Sequence, residues 1–376
     1  MTHRKRIAIL ANIIAPYRIP IYQEIGRCFQ TAIFHSEAET NRETWQNIES
    51  ALVGLEIRKS CGIVIRSRRH VDGRFFDHRF THVTPGYFPD LISFRPDAVI
   101  TNEMGFRTMT ALAYGGIFGK PVWVWWGGTL HTERNLGRIK KTVRAILSRR
   151  VRRWISYGQT STEYLSSLGI PSERILQIQN CVDERLFLED SCPPLSLSPR
   201  PVILFVGQLI ARKGAVHLLD AASRLAAEGR RFTLLFVGGG PDKQMLESRA
   251  ARLGIPNVVF HPPQPPSALP GIYQSADCLV FPTLEDVWGL VVNEAICSGL
   301  PVISSIYAGC TREIIPRENR FDPLNAEEFH RILERAIDGR IAPNDPHPLK
   351  TCHQVAEMII RDIDEELSKK SVIPLP

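Results

Sequence analysis

The feature that most constrains this chain is a run of short, β-branched apolar segments that recur between helical stretches from one end to the other. In the first half they are residues 7–12, 32–35, 98–102, 122–126, 154–157 and 175–179. In the second half they are residues 202–206, 233–237, 258–260, 278–282 and 302–304. Near-continuous apolar runs of this length, separated by helices, predict strands buried on both faces of a parallel sheet. The pattern restarts near residue 201, after the Pro/Ser-rich stretch Cys192-Pro193-Pro194-Leu195-Ser196-Leu197-Ser198-Pro199, which reads as a linker. The expected fold class is therefore α/β: two doubly wound, Rossmann-like parallel-sheet domains in tandem, facing across a cleft. Such sheets bind ligands at the carboxyl ends of their strands. The expected division is a first domain at 1–188, a linker at 189–200, a second domain at 201–345, and a final segment at 346–376. A length of 376 residues fits two domains with cores of their own.

Charge is divided unevenly between the halves. Residues 1–188 hold 27 Lys and Arg against 16 Asp and Glu, net +11; the remainder holds 19 against 23, net −4. The first domain is thus expected to face something anionic. Its charge concentrates in residues 135–154, where Arg138, Lys140, Lys141, Arg144, Arg149, Arg150, Arg152 and Arg153 alternate with Ile139, Val143, Ile146, Leu147 and Val151. Helical spacing fits both a core-packed helix with a solvated basic face and a helix that docks on an anionic membrane surface. No aromatic platform accompanies the charge, so nucleic acid is not the expected partner. No run of 18 apolar residues predicts a spanning helix. Asn12 interrupts the apolar N-terminal stretch, which reads as a first strand and not as a signal segment. The eight cysteines form no CxxC pair, so reduced, mostly buried thiols, no metal site and a cytoplasmic location are expected.

Three second-half segments carry the chemistry. In the first, residues 281–302, a strand ends near Pro282 and a helix is expected to start near Trp288. Asp286 and Glu294 bracket that start, and the N–H groups of Gly289, Leu290 and Val291 lie at the positive helix end, where a diphosphate could dock. Spacing alone leaves open a capping Asp and a solvated Glu. The second segment, Gly207-Gln208-Leu209-Ile210-Ala211-Arg212-Lys213-Gly214, fits a phosphate-binding turn or a surface basic pair. The third, Gly238-Gly239-Gly240-Pro241, could seat a nucleotide ring or ribose. None has the GxGxxG spacing of a dinucleotide fingerprint, which argues against an oxidoreductase.

Taken in register with Asn180-Cys181-Val182-Asp183, Ser275-Ala276-Asp277 and Ala308-Gly309-Cys310-Thr311-Arg312-Glu313, these segments resemble glycosyltransferase family 4, which has the GT-B fold. The resemblance implies a retaining transfer of a sugar from a nucleotide-diphosphate donor to an acceptor hydroxyl, with no metal ion and no other cofactor. In that reading Lys213, Arg212, Gln208, Gly207 and the N–H groups of residues 289–291 hold the diphosphate. Glu294, Gly238 and Gly239 hold the nucleotide, and Asp286 binds the transferred sugar. His131, in the loop after the run 122–126, is the first-domain candidate for donor contact. Asn12, Tyr17 and Arg18 stand on the acceptor side, in place of the Gly-Gly loop many members carry. Asp286 stands where the family has Glu, Gln208 where Arg is usual, and Cys181 where Gly is usual. The resemblance further implies a glycan or lipid-linked acceptor, a role in bacterial-type surface polysaccharide or glycolipid assembly, and a place at the inner face of the cytoplasmic membrane. A non-catalytic nucleotide-sugar-binding protein remains the alternative.

Overall fold

A computed structural model describes residues 4–36, 52–71, 74–188 and 192–370. The chain forms two compact units. The first comprises residues 1–67, 80–181 and 350–376; the second comprises 68–79 and 182–349.

The first unit is built on a seven-stranded sheet. Its strands are β1 (Arg6–Ala11), β2 (Gln30–His35), β3 (Glu56–Lys59), β6 (Ala98–Asn102), β7 (Val122–Trp126), β8 (Arg153–Ser156) and β9 (Ile175–Gln177). All neighbours pair in parallel in the order β3-β2-β1-β6-β7-β8-β9. Two further strands, β4 (Ile63–Val71) and β5 (Arg74–Val83), form a separate two-stranded sheet. Alternation along the strands sorts side chains to the two faces. Ile7, Ile9, Ile33 and Ile100 join one core with Ile21 and Ile25 of the helix Ile19–Cys28. Val355, Ile359 and Ile363 of the helix Cys352–Lys370 complete that core. Ala8, Leu10, Phe34 and Val99 pack on the other face with Leu91, Ala111 and Tyr114. Trp123 Nε1 donates to Asp362 Oδ2 at 2.7 Å, which fixes the last helix to β7.

The second unit repeats the design in six strands: β10 (Val202–Val206), β11 (Thr233–Val237), β12 (Val258–His261), β13 (Cys278–Phe281), β14 (Val302–Ser305) and β15 (Arg320–Phe321). Their order is β12-β11-β10-β13-β14-β15, again parallel throughout. Ile203, Phe205, Leu234, Phe236 and Val280 pack against Leu218, Leu219 and Leu225 of the helix Ala215–Ala227. Both sheets reverse their winding once, between β1 and β6 and between β10 and β13. Those reversals are where such sheets open a crevice at the carboxyl strand ends.

Three local expectations are corrected. The Pro/Ser stretch does not act as a loose tether. Leu195 N donates to Ser275 Oγ at 2.7 Å, and a Cβ on Gly271 would sit 2.8 Å from the carbonyl oxygens of Cys192 and Pro193. The chain instead passes between units at residues 67–68, 79–80, 181–182 and 349–350, and beside the last two crossings Lys350 N donates to Gln179 Oε1 at 2.8 Å. Not all the thiols are sequestered: Cys28 and Cys61 are exposed.

The basic helix, Arg138–Arg150, also differs from the single apolar stripe read from its spacing. Leu147 faces inward and Val151, just after it, is buried, but Ile139 is 82% and Ile146 53% exposed. Arg144 is drawn inward by Glu133 and stacks over Trp126, and Arg153 pairs with Asp362. Arg138, Lys140, Lys141, Arg149, Arg150 and Arg152 remain exposed around the two isoleucines.

Candidate active site

In the second unit the reversal point is framed by the loop after β10 and the loop after β13. Glycines let these loops approach more closely than a side chain would permit. Gly214 has φ +72°, and a Cβ there would lie 2.0 Å from the Pro282 carbonyl oxygen. Leu284 N, at 2.8 Å, and Thr283 Oγ1, at 3.2 Å, both donate to the Arg212 carbonyl. Gly238 serves the same kind of contact on the other side: a Cβ would meet the Gly207 carbonyl oxygen at 1.9 Å. Close backbone packing thus accounts for Gly238 independently of any nucleotide. Gly239 bonds through its carbonyl to Leu209 N at 2.8 Å, and Gln208 is half-buried beside it.

The stitched loops bring Lys213 and Asp286 together, with Nζ 2.5 Å from Oδ2. Asp286 Oδ1 also accepts from Trp288 N at 3.2 Å, so the residue caps the turn and pairs with the lysine at once. The helix begins two residues later than expected, at Leu290, because Gly289 adopts φ +109° and Trp288 is buried against Asn293. The opening N–H groups of that helix, Leu290–Cys297, have no acceptor within the helix. Burial works to raise the pKa of Asp286, but Lys213 and Arg212 overcome it and hold the carboxyl below the usual range. Burial lowers that of Lys213, with Asp286 opposing.

Glu294 lies just over one turn into the helix. Burial pushes its pKa up to about 7, against the effect of the Tyr273 hydroxyl, which donates to Oε2 at 2.5 Å. It is therefore a half-buried, weakened acid. Tyr273 was not legible as a site residue, since only its spatial neighbour shows what it does. Arg69, Asp77 and Glu285 were missed too. Arg69 pairs with the buried Glu285, and Asp77 with Arg212.

The first unit treats its candidates differently. Asn12 follows β1 and accepts from Ser36 N at 3.1 Å and Ser36 Oγ at 2.9 Å through its carbonyl. Tyr17 is half-buried in the turn Pro16–Arg18. Arg18 is not exposed for an acceptor but only 3% accessible. Its guanidinium lies 4.1 Å over the Trp125 ring, donates to Asn102 Oδ1 at 3.1 Å and bonds the Tyr157 hydroxyl. His131 is half-buried in the loop after β7, and its carbonyl accepts from Arg134. Glu103 closes β6 in the left-handed region, φ +64°, with its carboxylate exposed and 3.2 Å from Arg107.

Sheet order, winding and the paired carboxyl-end loops can now be set beside solved structures. The crystal structure of Anabaena Alr3699/HepE in complex with UDP and glucose superposes with a TM-score of 0.68. It covers 98% of this chain and 100% of its own, at 17% identity. The fold is GT-B. Within the GT-B chain, residues 193–351 match the family model described as Glycosyl transferases group 1. The 2-deoxystreptamine glucosyltransferase of Streptomyces kanamyceticus is 30% identical over 152 residues, 40% of this chain and 38% of that protein. The D-inositol 3-phosphate glycosyltransferase of Nocardia farcinica is 36% identical over 129 residues, 32% and 29% of the two chains. The matched stretch thus spans less than two fifths of either relative.

Proposed function

We propose that this protein is a glycosyltransferase of family 4 that moves a sugar from a nucleotide-diphosphate donor to an acceptor hydroxyl with retention of configuration. The observation that carries the reading is one juxtaposition: the Lys213–Asp286 pair, 2.5 Å apart, stands directly before the N-terminus of Leu290–Cys297, with Glu294 behind it. The N–H groups of Gly289, Leu290 and Val291 and the cations of Lys213 and Arg212 would receive the diphosphate and stabilise its charge as it departs. Glu294 would accept from ribose hydroxyls and Asp286 from the sugar, and with the two cations and the helix N–H groups on the diphosphate the leaving-group charge would need no bound metal ion. Retention follows if the acceptor attacks from the face that the diphosphate leaves, and His131 is the first-unit candidate for donor contact.

The acceptor is assigned to the first unit and to a lipid-linked substrate at an anionic membrane face. The exposed Ile139 and Ile146 among six exposed cations support this, since apolar side chains enter the interface while each cation near the surface adds about 1 kcal/mol. No helix among the described residues is long and apolar enough to cross a membrane. We place the protein at the cytoplasmic surface, in the assembly of surface polysaccharide or glycolipid.

A thermal-shift panel of UDP-, GDP- and ADP-sugars tests the donor assignment. One sugar nucleotide is expected to raise the melting temperature, and NMR of its transfer product is expected to show the anomeric configuration of the donor. Failure of every sugar nucleotide and every free nucleotide to stabilise the protein would sink the reading. Stabilisation without turnover on any acceptor would favour a non-catalytic binding protein.

A further inference from the structure

The loops after β10 and β13 are not the whole of the charged cluster in the second unit. The chain contributes residues 68–79 to that unit before completing the first, and two of them face the loops. Arg69 donates to Glu285 through both terminal nitrogens, Nη1 at 2.5 Å and Nη2 at 3.1 Å, while stacking 4.8 Å from the Phe76 ring centroid. Asp77 Oδ2 lies 2.6 Å from Arg212 Nε. Arg212 Nη1 donates to the Glu285 carbonyl at 2.8 Å and stands 3.8 Å from Asp286 Oδ2.

These contacts fix the guanidinium on two edges. Nε stands in an ion pair with Asp77 Oδ2 without an aligned hydrogen bond, and Nη1 donates to a carbonyl that Arg69 steadies through the side chain of the same residue. Nη2 makes no hydrogen bond among the described residues and, unlike Nε, is not sealed from solvent. An arginine held on its Nε side presents its remaining donors in one plane, the arrangement that suits a phosphate oxygen. The neighbouring cation, Lys213, is engaged by Asp286. Three acids and three bases make the cluster neutral overall, so orientation rather than net charge must recruit an anion here.

We propose that Asp77 is a positioning residue for the donor: it aims Arg212 Nη2 at the diphosphate, making Arg212 the oriented phosphate ligand of this site. The inference rests on the glycosyltransferase reading and deepens it, because it assigns a role to a segment that reaches the site from more than a hundred positions earlier in the chain.

Calorimetry on the full-length protein tests it. UDP, GDP, ADP and the three parent nucleosides are titrated into wild type, Asp77→Ala, Asp77→Asn, Arg212→Ala and the Asp77→Ala/Arg212→Ala double variant. Asp77→Ala is expected to weaken the bound nucleoside diphosphate about 10-fold and leave its nucleoside unchanged, because orientation of one charge-assisted contact is lost. Asp77→Asn keeps an oxygen acceptor and should fall between. The double variant should be no weaker than Arg212→Ala, since Asp77 acts only through the arginine. In turnover, KM for the donor should rise while kcat changes less. Equal or tighter diphosphate binding by Asp77→Ala, an equal loss for the nucleoside, or additive effects in the double variant would overturn the proposal. Wild type that binds none of the diphosphates would instead overturn the functional reading on which it rests.

Discussion

The two reversal points of the molecule have the same topology and opposite chemistry. At the first, between β1 and β6, the arginine that reaches the strand ends is buried among neutral partners, Trp125, Tyr157 and Asn102. At the second, between β10 and β13, Lys213 is matched by the carboxylate of Asp286 in the loop after β13. A cation paired with aromatic and amide groups is a structural tie. A cation paired with a carboxylate in a loop can exchange that partner for an anionic ligand. Sheet order therefore says where a ligand could lie, and the partners of the basic side chains say whether one is awaited.

The largest effects should break this contrast cleanly. Lys213→Ala should cost on the order of 100-fold in nucleotide-sugar affinity by calorimetry, since it leaves Asp286 buried beside the incoming phosphates without its cation. Arg18→Ala should leave that affinity unchanged and lower unfolding stability by about 3 kcal/mol in a denaturant titration, the scale of a broken buried polar network. A reversal of these outcomes would mean that the roles of the two reversal points have been exchanged.

A smaller effect concerns pH. The Glu294 carboxyl titrates at about 7 in the folded protein, raised by burial. Only its ionised form accepts from both ribose hydroxyls, so donor binding should release a proton. Affinity for a nucleotide sugar, whose diphosphate does not itself titrate in this range, should rise about 10-fold from pH 6 to pH 8. Glu294→Gln should flatten that profile. A profile that falls with pH would contradict the ribose assignment.

The mildest effect belongs to the exposed helix. Ile139→Ser with Ile146→Ser should reduce sedimentation with vesicles containing anionic lipid several-fold, each lost apolar side chain removing part of the interfacial energy. Binding to neutral vesicles should be weak throughout. Equal binding to both kinds of vesicle, or none to either, would remove the membrane from the proposal.

What the sequence revealed depended on how far apart the interacting residues lie. Strands buried on both faces announce themselves as apolar runs, so β1, β6, β7 and the main strands of the second sheet were readable. Strands β4 and β5 carry Arg66, Arg68, Arg69 and Arg79, and nothing in that alternation of charge marks a sheet. Lys213 was readable because Gly214 beside it signals a tight turn. Arg69 and Glu285 are 216 positions apart, and only folding makes them neighbours. The basic helix misled in another way. Its spacing identified a helix with Ile139, Ile146 and Leu147 on one stripe, but the structure buries Leu147 and leaves the two isoleucines exposed.

The passage of the chain back into its first unit has a consequence for how the protein is made. Residues 355, 359 and 363 supply part of one face of the first core, and they leave the ribosome after the whole second unit. Domains emerging during synthesis ordinarily become complete in order from the N-terminus. Here the order is inverted: β10 to β15 and their helices can close while β1 still waits for the final helix to cover Ile7 and Ile9. A chain stalled or cut before residue 352 would leave an apolar sheet face open to its neighbours.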